Sequence, residues 1–268
     1  MQRRFLTWSI LSLLLLVTGD AWCAGHGKGS GREDDGASQR RGEEKPQLML
    51  ANADGATVRL WKPDLTSTLL EVQHGGITIP NTGMDNYHAL VATRSWSNLE
   101  DTLIRYEYLR GKPSGHSPSE LTALPKSTFE IVPAPIPREH YRYIGNHTWN
   151  FLLRFKDAPL ADTPVTLSTS NGTQLAGKSN AAGRVRFVIP DDFPEVQSGR
   201  ANNKPGEMWL SAEHQDNGVT YHTALSAAYF TDPAHWQSKG LAAAIFAFGL
   251  LAGGVVGRVR KQNGEKSE

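Results

Sequence analysis

The sequence predicts an all-β protein, an antiparallel β-sandwich in two strand-rich parts, on three observations. From Gln47 onward, apolar residues fall in short runs separated by Gly, Pro, Asn and Asp, and no long stretch holds a helical period. Within the runs apolar and polar side chains alternate, as one buried face requires: Ile104, Tyr106 and Tyr108 are interleaved with Arg105 and Glu107. Asn171-Gly172 and Asp216-Asn217-Gly218 are tight hairpin signals, because Asn and Gly tolerate the left-handed backbone such turns need.

The elements follow in chain order. Phe5 to Val17 is apolar, follows Arg3 and Arg4, and gives way to Thr18, Gly19 and Asp20, so residues 1–24 are expected to be an export signal cut after Ala21, Cys23 or Ala24. Residues 25–46 hold glycine and charges of both signs but no aromatic or branched apolar side chain, and read as a flexible linker. A first β-rich part, 47–137, offers strands at 47–53, 57–61, 69–72, 77–79, 87–96 and 102–109, then a loop over 111–125. Pro133, Pro135 and Pro137 impose an extended connector that no central strand tolerates, and the boundary is placed there. A second part, 138–235, offers strands at 149–155, 165–169, 174–178, 185–189, 208–213 and 219–225.

Residues 240–257 carry no charge and run into Arg258, Arg260 and Lys261. This lies at the short margin of the ~20 apolar residues that cross a hydrocarbon core, but Trp236 stands where an interfacial aromatic belongs and the basic cluster obeys the positive-inside rule. One transmembrane helix over 240–257 is expected, with 258–268 in the cytoplasm and the body in the periplasm of a bacterial inner membrane. Gly249, Gly253 and Gly257 form a small-xxx-small stripe suited to a homodimer, although glycine is also common in membrane helices generally.

Composition narrows the function. Hydrophobic residues at 39% and charged residues at 21% support a packed core and exclude a wholly disordered chain. A formal net charge of +1 gives no reason to expect a nucleic-acid partner. The single cysteine, Cys23, lies at the signal boundary, so no internal disulfide is expected in the body.

Phe155-Lys-Asp-Ala-Pro-Leu-Ala-Asp-Thr-Pro-Val-Thr-Leu167, followed by Asn180-Ala-Ala-Gly-Arg-Val-Arg-Phe-Val-Ile-Pro190, resembles transthyretin-like and carboxypeptidase-regulatory-like modules. The run from Ile131 through Trp236, with Pro137-Arg-Glu-His140, Asp191-Asp-Phe-Pro194 and Glu213-His-Gln-Asp216, resembles a bacterial exported family of unknown function often labelled periplasmic components of cobalt or nickel transport systems. The resemblance implies a β-sandwich working beside a transporter or other envelope protein and handling nickel or cobalt; with the thioether, carboxylate and imidazole ligand types of the chain, a divalent transition metal (nickel, cobalt or copper) is the expected ligand. A non-catalytic protein–protein interaction module of the envelope is the alternative.

No nucleophile elbow, phosphate-cradling glycine loop, zinc-type cysteine pair or His-Glu-x-x-His helix occurs, and no enzymatic activity is expected. The nine histidines are the chemical signal. His214 and His222 flank the 216–218 turn. A two-residue loop at Asn217-Gly218 sets Glu213 opposite His222, as a metal pair or as a polar pair on a solvated face; a loop one residue longer sets His214 opposite His222. Met84, Asp85 and His88 lie in a turn entering a strand and bring thioether, carboxylate and imidazole together; Met84 as a core residue and His88 as a surface strand residue is the other reading. The expected metal ligands are thus His88, His214, His222, Glu213 and Met84. Cleavage after Cys23 would add His26 in a square-planar amino-terminal nitrogen site. His140 and His147 accompany Tyr141, Tyr143 and Trp149 in an aromatic rim, over either a ligand or the joint between the two parts.

Overall fold

The computed structural model describes residues 14–17, 47–138 and 142–237. Along the chain come β1 (Leu14–Val17), β2 (Gln47–Ala51), β3 (Thr57–Trp61), β4 (Ser67–Leu70), β5 (Gly76–Thr78), β6 (Met84–Trp96), β7 (Leu99–Leu109) and β8 (Lys112–Pro113). A short helix, α1 (Pro118–Ala123), precedes β9 (Phe129–Pro133), β10 (Tyr143–Ile144), β11 (Thr148–Phe155) and β12 (Ala158–Pro159). β13 (Pro164–Thr169), β14 (Gln174–Lys178), β15 (Arg184–Val188), β16 (Gly206–Asp216), β17 (Val219–Phe230) and a final helical turn, α2 (Pro233–Trp236), complete it.

Ten strands form a central sheet with the main path β14-β13-β16-β17-β7-β6-β3-β4. Successive strand residues point to opposite faces, so this one sheet serves two cores. On one face Val91, Ile104, Leu210 and Leu225 pack against Phe129, Phe151, Leu153 and Phe187 of the four-stranded sheet built on β11. On the other, Leu60, Leu90, Ala92 and Leu103 pack against Leu48, Leu50 and Ile77 of the three-stranded sheet β1-β2-β5. The result is an all-β sandwich with a third layer. Each large apolar side chain fully buried between layers contributes about 1.5–3 kcal/mol.

Purely antiparallel pairing is corrected at the centre. β17 runs parallel to β7, from Thr220 opposite Leu99 to Ser226 opposite Arg105. The alternations of the two strands match in this direction: Ala224 and Leu103 point to one core, Leu225 and Ile104 to the other. This ladder joins 47–137 to 138–235, and so does the antiparallel pairing of β9 with β11. β9 ends on Pro133 and has β11 as its strand neighbour, an edge placement compatible with a residue that lacks an amide proton.

The expected loop over 111–125 contains α1. Ser117 and Glu120 start it as a capping box, Ser117 Oγ accepting from Glu120 N–H and Glu120 Oε1 accepting from Ser117 N–H. Arg154 holds its other end: the guanidinium donates to the carbonyls of Thr122, Ala123 and Leu124 and, at 2.8 Å, to Glu130 Oε1. Glu130 and Arg154 are both buried.

Leu14–Val17, within the expected signal, is paired antiparallel with β2. The remainder of 1–24, the linker 25–46 with His26, residues His140 and Tyr141, and 240–268 with the glycine stripe lie outside the described residues. Among the described residues, no helix is long and apolar enough to cross a membrane.

Candidate functional site

The β16–β17 hairpin turns on Asn217 and Gly218, with φ of 50° and 80°. Two positive φ values in succession make a two-residue type I′ connection, and that connection fixes the register. Glu213 faces His222 and His214 faces Tyr221. The longer loop that would have set His214 opposite His222 is therefore not formed, and the two histidines lie on opposite faces of the sheet. His214 joins an aromatic cluster on the face shared with Phe129, its ring centroid 4.6 Å from that of Phe155 and 6.1 Å from that of Phe129.

On the opposite face the parallel ladder sets Asp101 beside His222, and β6 sets Arg94 beside Asp101. Four adjacent strands thus present a row of Glu213, His222, Asp101 and Arg94. His222 Nδ1 donates to Asp101 Oδ1 at 2.8 Å. An ionised carboxylate only accepts, so this bond places the proton on Nδ1 and gives Nε2 the lone pair in the neutral ring. Arg94 Nη2 lies 3.8 Å from Asp101 Oδ2, while its Nη1 donates to the Asn52 carbonyl at 2.6 Å and its guanidinium covers the Trp96 ring at 4.3 Å. The Asp101 and His222 side chains are 3% and 11% exposed, whereas Glu213 is open to solvent. Two positions along the same face, buried Arg105 is clamped by Glu107 and Glu207, and burial raises the Glu207 pKa. Its charges are thereby committed to one another.

The other expected ligands stand apart. His88 is fully buried instead of lying with its ring at the surface. Its Nδ1 donates to the Asn86 carbonyl at 3.1 Å and its Nε2 accepts from the Thr82 hydroxyl at 2.7 Å, so both ring nitrogens are engaged inside the fold. Burial lowers its pKa and favours the neutral ring. Met84 and Asp85 open β6 instead of lying in a turn; Met84 is half-buried, and Asp85 accepts from the Tyr108 hydroxyl at 2.8 Å. His88 and Arg94 are six residues apart on β6, roughly 20 Å, so Met84 and His88 are remote from the row. Among the described residues, no group of three or more His, Cys, Asp or Glu side chains is placed to hold a metal ion. His147 is exposed, and Tyr143 is buried edge-on against Trp149 at 4.9 Å, which assigns that part of the aromatic rim to packing.

Asp101 and Arg94 were not singled out by sequence. Arg94 was visible as a charge inside the strand expected over 87–96, but Asp101 lies just before the one expected over 102–109, and the β7–β17 pairing that gives it its partner has no local signature.

No family model matches the chain, and no curated protein matches it. Among solved structures, the D0-D1 domain of intimin is 13% identical, with 69% of this chain and 91% of that chain covered and a TM-score of 0.24. The Bacteroides ovatus mixed-linkage glucan utilization locus protein SGBP-B, solved in complex with a mixed-linkage heptasaccharide, is 10% identical, with 70% of this chain and 41% of that chain covered and a TM-score of 0.21. Superpositions this loose carry no argument about ligands or partners.

Proposed function

We propose that the chain is an exported β-sandwich, tethered to a bacterial inner membrane by 240–257, that binds a divalent transition metal or a complex of one as an accessory to uptake. The observation that carries this reading is the Asp101–His222 hydrogen bond beside Glu213. A carboxylate on one ring nitrogen is the arrangement that orients a ligating histidine and raises the basicity of the other nitrogen. Imidazole with carboxylate suits nickel, cobalt, copper or zinc. Two protein donors leave the other coordination positions to water, to a small carrier or to a partner's side chains. Such an open site favours transfer over storage, which fits an accessory of a transporter.

Calorimetric titration of the detergent-solubilised chain with Ni(II), Co(II), Cu(II) and Zn(II) tests the reading. His222→Ala is expected to abolish binding and Glu213→Ala to weaken it. Asp101→Asn is expected to weaken it about 10–100-fold, the usual effect of removing an orienting partner. His214→Ala, on the other face, is expected to leave it unchanged. Binding that survives both His222→Ala and Glu213→Ala rejects the site, and absence of binding by the unaltered chain favours an envelope protein–protein interaction module.

A further inference from the structure

The C-terminal end of the body is fastened down immediately before the apolar segment begins. Asp191, its side chain 5% exposed, accepts from the Thr231 hydroxyl at 3.0 Å and from Asn146 Nδ2 at 3.2 Å, and its Oδ2 lies 2.8 Å from His235 Nδ1. Asp232 caps α2 by accepting from the Ala234 N–H at 2.8 Å and reaches Asn146 at 3.3 Å. The chain is therefore held to the body as far as His235, and the α2 turn closes at Gln237, whose N–H donates to the Pro233 carbonyl. From Gln237 to Gly240 it can span at most roughly 10 Å. Whatever surface receives Gly240 lies close to this pole.

The chemistry of the pole fits a phospholipid headgroup layer. Three of its acids are held by hydrogen bonds, Asp191 and Asp232 in the latch and Asp192 accepting from Thr169, Tyr229 and Asn171, while Glu195 is exposed in the loop. Arg200 and Lys204 remain exposed in the loop that leads into β16 at this end. Arg142 stacks over Phe230 at 4.6 Å, and burial, together with the charge of Arg200, lowers its pKa. Trp236, an interfacial aromatic by type, closes α2.

We infer that this pole, formed by the Gly145–His147 turn, the 190–205 loop and α2, rests on the headgroup layer of the membrane that holds 240–257, with Arg200 and Lys204 at its phosphates. The inference builds on the membrane tether of the proposed function. It also sets the height of the metal row. β17 runs from the Asn217-Gly218 tip to the pole, and His222 sits eight residues above Phe230, about 27 Å. Metal then exchanges with a partner on the aqueous side, not with a site inside the bilayer.

The full chain, with Cys23→Ser and a single cysteine carrying an environment-sensitive fluorophore at Ser198 or at Gln215, is reconstituted into phosphatidylethanolamine–phosphatidylglycerol vesicles containing a headgroup spin-labelled lipid. Ser198 lies in the pole loop and Gln215 about 30 Å away along β16, so quenching at Ser198 is expected to exceed that at Gln215 by about threefold or more. Asp191→Asn combined with His235→Ala is expected to shrink that difference while the chain stays with the vesicles. Retention with equal, reversed or absent quenching overturns the pole assignment alone. Release of the chain by alkaline carbonate overturns the tether, and this inference with it.

Discussion

Replacing Arg154 by Met isolates the buried ion pair that fastens α1 to the sandwich. The substitution keeps an unbranched chain of similar reach but removes every donor. Glu130, fully buried, would keep a carboxylate whose remaining bond comes from the Lys126 N–H at 3.1 Å. Removing one partner of a buried pair costs about 3–5 kcal/mol, because Glu130 loses its hydrogen-bonded counter-charge and keeps only the electrostatic influence of the Lys126 ammonium. The carbonyls of Thr122 and Ala123 lose their donor as well, while that of Leu124 keeps the Lys126 ammonium at 2.6 Å; at the half-open end of α1 water replaces part of the loss, and about 1 kcal/mol is added. The expected loss of about 4–6 kcal/mol is a large part of the 5–15 kcal/mol by which domains are stable. Urea unfolding followed by tryptophan fluorescence measures it. Adding Glu130→Leu removes the stranded charge and should recover about 2–3 kcal/mol. A single variant within about 1 kcal/mol of the parent, or a double variant no better than the single, refutes the reasoning.

Two further outcomes follow from other parts of the core. Because burial holds His88 neutral, the unfolded chain binds a proton there that the folded chain does not; stability is complete above the unfolded value of 6.5 and falls as pH drops below it toward the lowered folded value. Unfolding free energies between pH 7 and 5 should therefore decline more steeply for the parent than for His88→Gln, and parallel curves would contradict the assignment. Gly206→Ala places a Cβ 2.4 Å from Tyr229 Cε1, on a buried ring whose hydroxyl is held by Asp192, so the ring has little room to yield. A cost of about 1–3 kcal/mol is expected by thermal unfolding, and no loss would show that the ring moves.

The alternation of Trp149, Phe151, Leu153 and Phe155 revealed β11, and Asn217-Gly218 revealed both a hairpin and its register, because each is a local preference of backbone or pleat. The parallel pairing of β17 with β7 was not legible: it joins residues more than a hundred positions apart, and nothing in either strand encodes the direction of its neighbour. That is why Glu213 and His222 were recognised as a facing pair while Asp101, which orients the imidazole, was not. Met84 and His88 were grouped by nearness in sequence. Their strand carries His88 into the core, where Thr82 and Asn86 satisfy both ring nitrogens. β9 was missed because Pro133 argues against a central strand, and the chain resolves that conflict by placing the proline at the end of an edge strand.

Pulsed electron paramagnetic resonance of the Cu(II)-loaded chain reads imidazole coordination directly. The proposed site predicts a nitrogen signal from one histidine that disappears in His222→Ala and persists in His88→Ala and His214→Ala. Imidazole coordination that survives the loss of His222 would contradict it.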